Sequence, residues 1–172
     1  ISADGGTPAG AQAGGGAGGT VDLETGTLGG GGIIRANGGG LEVGGGGGRV
    51  AIRFDAMTFD SARLEARGGP GSTMSGGNGT IFLKPSTQTY GDLVIDGHGA
   101  PTAEDHCFIP GGYVFDRVIL RNRAQAVAEW YATAELEERR DMSLLLCEQF
   151  APDATEFTSA RQRYEAAAGT AE

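Results

Sequence analysis

In three short segments apolar residues recur with a period of two: Val21/Leu23, Val50/Ile52/Phe54 and Ile81/Leu83, set among Thr, Asp, Arg and Lys. This period marks a strand with one buried face. Each segment follows a glycine and one polar residue, in Gly19-Thr20, Gly48-Arg49 and Gly79-Thr80, at spacings of 29 and 31 residues. A second motif, apolar-polar-Ala-polar-Gly-Gly, is interleaved with the first. It reads Ile1-Ser2-Ala3-Asp4-Gly5-Gly6, Ile34-Arg35-Ala36-Asn37-Gly38-Gly39 and Leu64-Glu65-Ala66-Arg67-Gly68-Gly69, at spacings of 33 and 30 residues. A weaker third element links Thr58-Phe59-Asp60-Ser61-Ala62-Arg63-Leu64 with Val114-Phe115-Asp116-Arg117-Val118-Ile119-Leu120. Tyr90-Gly91-Asp92-Leu93-Val94-Ile95-Asp96 reads as another strand between them.

Two interleaved motifs with one common period point to a repeat architecture. Half-buried strands about 30 residues apart, stacked in register about 4.8 Å from one another, form a parallel β-solenoid. This places Ile52 between Leu23 and Leu83, with Val50, Ile52 and Phe54 inward and Arg49, Ala51 and Arg53 outward. The abrupt junction GGGGGRVAIRF at 44–54 then has a role. Corners between short strands favour glycine for its access to φ > 0 and for close backbone approach. The runs at 14–19 and 44–48 exceed a single tight turn, so part of each is expected to loop out.

From Ala124 the period changes. Val127, Trp130, Tyr131 and Ala134 fall on a helical stripe, and Glu135 and Arg139 form an i,i+4 pair. Met142, Leu144, Leu145 and Leu146 form an apolar block that ends near Phe150 and Pro152. Asp153-Ala154-Thr155-Glu156 resembles a capping box, followed by a stripe of Phe157, Ala160, Tyr164 and Ala167 and a stop at Gly169. The fold class is therefore read as mainly β: a glycine-rich parallel β-solenoid over residues 1–122 and a short α-helical cap or tail over 123–172. Two or three helices are expected to cover one open end of the solenoid, while the strand edge at Ile1 stays bare.

Composition sharpens this picture. All but three of the 33 glycines precede residue 100, and no Gly-X-Y period exists, which excludes collagen. Residues 124–172 carry one Gly, ten Asp+Glu and four Arg. The net charge of −9 leaves no basic face for nucleic acid. No apolar run approaches the roughly 20 residues of a membrane span. Ile1 already stands inside a repeat, so the chain is expected to be a processed or excised segment. Cys107 and Cys147 are read either as a disulfide or as two separate buried thiols.

Candidate chemistry is sparse. His98, His106 and Cys107, with Asp96 and Asp105 nearby, are metal-ligating types, but their spacing matches no known site, and Asp96-Gly97-His98-Gly99 is good turn chemistry. A polysaccharide-acting β-helix enzyme needs clustered carboxylates on one outward face. The aligned outward positions here are Asp22, Ala51 and Phe82. Asp60 and Asp116 read as turn or ladder-end residues. Thr20 and Thr80 are separated by Arg49, which spoils a flat threonine array. The G-G-x-G-x-D calcium repeat does not occur. Trp130 and Tyr131 sit at helical spacing and read as packing residues. No catalytic, cofactor-binding or metal-binding residue is expected.

The order ISADGG…GGGAGGTVDL…GTLGGGGIIRANGGG…GGGGGRVAIRF…NGTIFLKPSTQTYGDLVIDG…YVFDRVILRN resembles the glycine-rich, parallel β-helix-like repeat regions of very large exported, adhesin-like bacterial proteins. The resemblance covers about residues 1–122. It implies a secreted or cell-surface location and a non-enzymatic structural or adhesive role, as a rigid spacer or matrix component. Expected partners are other copies, neighbouring repeats of a parent protein, or surface polysaccharide. The alternatives are a subunit of an end-to-end filament and, third, an enzyme acting on polysaccharide.

Overall fold

A computed structural model describes residues 1–10, 13–97, 106–109, 113–122, 124–128 and 155–157. The chain is mainly β and winds through about three turns of a parallel β-solenoid. Strands β1 (Thr20–Leu28), β3 (Arg49–Met57) and β5 (Thr80–Pro85) stack in parallel, in the register Val21–Val50–Ile81 and Leu23–Ile52–Leu83. The expected apolar ladder is thus present, and Val50 and Ile52 are fully buried. A second wall is formed by β2 (Ile34–Arg35) and β4 (Leu64–Glu65), also parallel, with Ser2 bridging to Arg35. Ile34, Leu64, Ala36 and Ala66 close the core from that side. Residues 1–33, 34–63 and 64–97 are called coils 1, 2 and 3 below.

Between the two walls the glycine segments are ordered arms. In coil 1 Gly19 N–H donates to Ala3 O and Gly16 N–H to Gly6 O. In coil 2 Gly48 donates to Ala36 and Gly45 to Gly39; in coil 3 Gly79 donates to Ala66 and Gly76 to Gly69. The partners step by three residues in opposite directions. That step is the period of the extended, three-residue-per-turn polyproline II conformation. Here the backbone groups pair with neighbouring arms instead of with water. Further bonds join the coils: Gly39 N–H donates to Gly16 O at 2.8 Å and Gly69 N–H to Gly45 O at 2.7 Å. A zigzag relay results, Gly76 to Gly69 to Gly45 to Gly39 to Gly16 to Gly6, running along the solenoid axis.

Of the expected roles of glycine, close backbone approach is seen in the arms, while access to φ > 0 and looping out are not what the arms use. Among the described residues only Gly30, Gly91 and Asn122 take positive φ. The arms need glycine because no Cβ fits between them: one on Gly45 would overlap the Gly16 carbonyl, and one on Gly39 the Gly6 carbonyl.

After β5 the chain reverses. Gly91 (φ +84) ends a short connection, and β6 (Asp92–Asp96) runs antiparallel to β5. Asp116 Oδ2 accepts from the Tyr90 and Gly91 N–H groups at 2.9 and 2.7 Å and fixes this turn. Strand β8 (Arg117–Arg121) then pairs with β6 in parallel. Residues 117–121 therefore extend the main sheet beside β6.

The sheet carries a core on each face. Val50, Ile81, Val94 and Ile119 lie on the solenoid side. On the other side Leu93, Ile95, Val118 and Leu120 pack with Cys107, Ile109, Ala124 and Ala126 of β7 (His106–Ile109), β9 (Gln125–Ala128) and the residue before β9. Beyond Asn122 the helical reading fails at the described positions. Residues 125–128 form strand β9, and β10 (Thr155–Phe157) pairs antiparallel with β8. The remaining residues for which helices were expected lie outside the described ones.

Candidate functional site

Charged residues on the solenoid stand in columns, because equivalent positions of successive coils lie side by side. The outward column Asp22–Ala51–Phe82 forms as expected and contains one carboxylate. Ala51 is nevertheless buried and Phe82 half-buried, since this face of the sheet turns toward the second core. Phe82 meets Phe115 edge-on at a ring distance of 6.2 Å, and Phe115 stacks on Tyr113. The column Thr20–Arg49–Thr80 likewise forms, with Arg49 between the threonines.

Coils 1 and 2 are joined by two exposed ion pairs: Arg35 Nε to Asp4 Oδ2 at 2.7 Å and Arg53 Nη1 to Asp22 Oδ1 at 2.6 Å. Asn37 adds a polar bridge across the coils. It donates its backbone N–H to Asp4 and its side-chain amide to Glu65, and accepts from the Arg67 N–H.

The most enclosed charges lie at the far end of the solenoid core. Asp92 and Asp96 project from β6 on the same face as Val94, and Arg117 and Arg121 from β8 on the same face as Ile119. Arg117 clamps Asp92 through two bonds, Nε–Oδ1 at 3.1 Å and Nη2–Oδ2 at 2.5 Å. Arg121 Nε meets Asp96 Oδ2 at 2.6 Å, and Asn122 Nδ2 donates to the other oxygen at 2.8 Å. The parallel register sets this geometry, since it places Asp92 beside Arg117 and Asp96 beside Arg121. These pairs border a cavity of about 290 Å³ lined by Phe54, Met57, Leu64, Leu83 and Gln88, among others. Gln88 donates to Asp92 at 3.2 Å, and its buried Oε1 has no partner among the described residues.

The residues considered for chemistry are dispersed. Asp60 accepts from the Ala62 N–H and caps a 3-10 turn, Ser61–Arg63, and Asp116 caps the turn before β6. Asp96 is committed to Arg121 and Asn122. Cys107 is buried in the second core, and burial pushes its thiol above the ordinary value. His98, Asp105, Trp130, Tyr131 and Cys147 lie outside the described residues, as does the side chain of His106. Among the described residues no three His, Cys, Asp or Glu side chains gather as a metal site, and no helix is long and apolar enough to cross a membrane.

The Asp–Arg ladder of β6 and β8 was missed in the sequence. Its signal was there: Asp92 and Asp96, like Arg117 and Arg121, stand four residues apart in apolar strands. What the described surface displays is repeated structure, coil against coil. Comparison with known proteins finds no matching family model, no matching curated protein and no matching solved structure.

Proposed function

We propose that the chain is a non-enzymatic structural module, a rigid β-solenoid spacer or adhesive surface of an exported protein. The observation that carries this reading is the axial relay of backbone hydrogen bonds through the glycine arms. It couples each coil to the next by peptide groups as well as by side chains. A stack held this way resists bending between coils, the property a spacer needs. The acidic balance suits a polypeptide that stays dispersed in solution.

Small-angle scattering and negative-stain microscopy test the mechanical half of the reading. An elongated particle of constant cross-section is the expected result, and a flexible or collapsed ensemble would overturn it. Protease accessibility on intact producing cells tests location. Full protection until lysis would remove the exported part of the proposal.

A second reading is a filament subunit. It is favoured by one feature: among the described residues β1 stands at the edge of the six-stranded sheet and pairs with β3 alone. Edge strands of this length are templates for pairing with another chain. Sedimentation at rising concentration distinguishes the two. A monomer at every concentration removes the filament.

A further inference from the structure

We infer that Asn37 is a fold-gated modification site. The closed solenoid keeps its side-chain amide intact, and separation of coils 2 and 3 lets it deamidate to a form that stops the coils from closing again.

Asn37 precedes Gly38. An Asn-Gly pair is prone to this reaction because glycine sets no side chain against the attack. The Gly38 nitrogen bonds to Asn37 Cγ, gives up its proton and expels the side-chain nitrogen as ammonia, leaving a succinimide ring. Water then opens the ring, to aspartate at one carbonyl or to isoaspartate at the other. The attack needs a released Gly38 N–H and a rotated Asn37 side chain, and the closed coils allow neither. Gly38 N–H donates to Arg67 O at 2.8 Å. Asn37 Nδ2 donates to Glu65 Oε2 at 2.9 Å, and Asn37 Oδ1 accepts from the Arg67 N–H at 2.8 Å. These partners all stand in coil 3, so they release Asn37 together when coils 2 and 3 part. The same backbone lock recurs at the three other Asx-Gly pairs, Asp4-Gly5, Asn78-Gly79 and Asp96-Gly97, whose glycine N–H groups donate to the carbonyls of Asn37, Ala66 and Arg121.

Asn37 differs from Asn78 in what its product would meet. Asn37 uses its amide as a donor toward Glu65, so aspartate there sets a second carboxylate against Glu65 Oε2 in a part-buried place. Arg67 holds the other Glu65 oxygen at 2.8 Å and balances one carboxylate, not two. Asn78 uses its oxygen, which accepts from the Gly68 N–H at 3.4 Å, and aspartate keeps that acceptor. Isoaspartate adds a carbon to the backbone itself. Beside Asn37 there is no room for one, since a Cβ on Gly38 would already overlap the Gly45 carbonyl. A coil that opens and converts at Asn37 therefore cannot return to its register, and the opening is recorded chemically.

The test incubates the full chain at mildly alkaline pH, folded and in guanidinium chloride, and follows Asn37 by peptide mass spectrometry. Conversion in the folded chain is expected to be about tenfold slower or more, as for a reaction confined to the opened state. After partial conversion the denatured sample is returned to buffer. Chains altered at residue 37 should stay in the protease-sensitive fraction, while unaltered chains refold. Variants isolate the charge of the product. Asn37→Asp is expected to lower the urea midpoint, Asn78→Asp to leave it in place, and Asn37→Asp/Glu65→Gln to recover most of the loss. The inference is overturned by equal conversion of folded and denatured chain, by converted chains refolding with the rest, or by an Asn37→Asp chain as stable as the unaltered one. The rate and refolding measurements use the unaltered sequence, so they decide the matter even where a variant fails to fold.

Discussion

Gly39 and Gly45 meet backbone to backbone across coil 2. The Gly45 N–H donates to the Gly39 carbonyl at 2.8 Å, while Gly39 in turn donates to Gly16 and Gly45 accepts from Gly69. Two residues without side chains therefore stand at the crossing of three coils. Gly45→Ala is expected to cost about 3 kcal/mol or more, the upper range for overpacking, because the new methyl meets rigid backbone. Gly46→Ala, one residue on, is the control. A Cβ there reaches only ordinary contact distance, 3.9 Å from Gly77 O. It should be neutral, or stabilising by about 0.4–1 kcal/mol through loss of unfolded-chain freedom. Urea unfolding compares the two. Equal effects would mean that the arms are not packed.

Ile52 and Arg53 test the register of the stacked sheet. Ile52 is fully buried between Leu23 and Leu83, so Ile52→Ala should cost about 2–5 kcal/mol, the cavity range. Arg53 is exposed and its pair with Asp22 is solvated; Arg53→Ala should cost about 0.5 kcal/mol or less. A reversed order would place every side chain of β3 on the wrong face.

The Asp96–Arg121 pair should matter far more than the Asp22–Arg53 pair. Asp96→Ala leaves Arg121, whose side chain is only 19% exposed, without its carboxylate and should cost about 3–5 kcal/mol. Asp22→Ala should cost about 1 kcal/mol or less. Thermal unfolding of both variants, at low salt and at about 1 M salt where screening is strong, measures the contrast. Salt should erase the small effect and leave the large one.

Cys107 gives a pH prediction. Burial raises its thiol above the ordinary value, so the fold holds it protonated. Its contribution to stability is complete below the unfolded thiol's pKa and is lost as pH rises through the raised folded value. A thiol reagent at pH 8 should therefore react with Cys107 slowly in the folded chain and at the normal rate in urea. Mass spectrometry of the peptide carrying Cys107 reads the site. Fast native labelling would place it outside the second core.

The stacking of Val21, Val50 and Ile81 was readable from the chain because branched apolar side chains recur at a fixed spacing. The glycine arms were readable only as ordered or looped, since a residue without a side chain carries no periodic signal and its pairing is set by backbone geometry alone. The reversal at β6 was hidden for a different reason. Leu93, Val94 and Ile95 read as a strand in either direction, and the direction is set by Gly91 and by Asp116, which lies 25 residues later. The second core did leave a trace. Phe82 and Ala51 are apolar at positions read as outward, and both adjoin a buried face. The Asp–Arg ladder of β6 and β8 depends on a parallel register that no local pattern specifies.

The glycine relay also determines how the chain answers a pulling force. Its bonds between coils, Gly69 to Gly45 and Gly39 to Gly16, join each coil to the next, so tension applied along the stack loads them in series. Each coil that gives way releases about 30 residues, or roughly 100 Å of slack at full extension, from a layer that occupied about 4.8 Å of the stack. Such a stack is expected to yield in discrete steps of about one coil each, which force spectroscopy would read as a sawtooth.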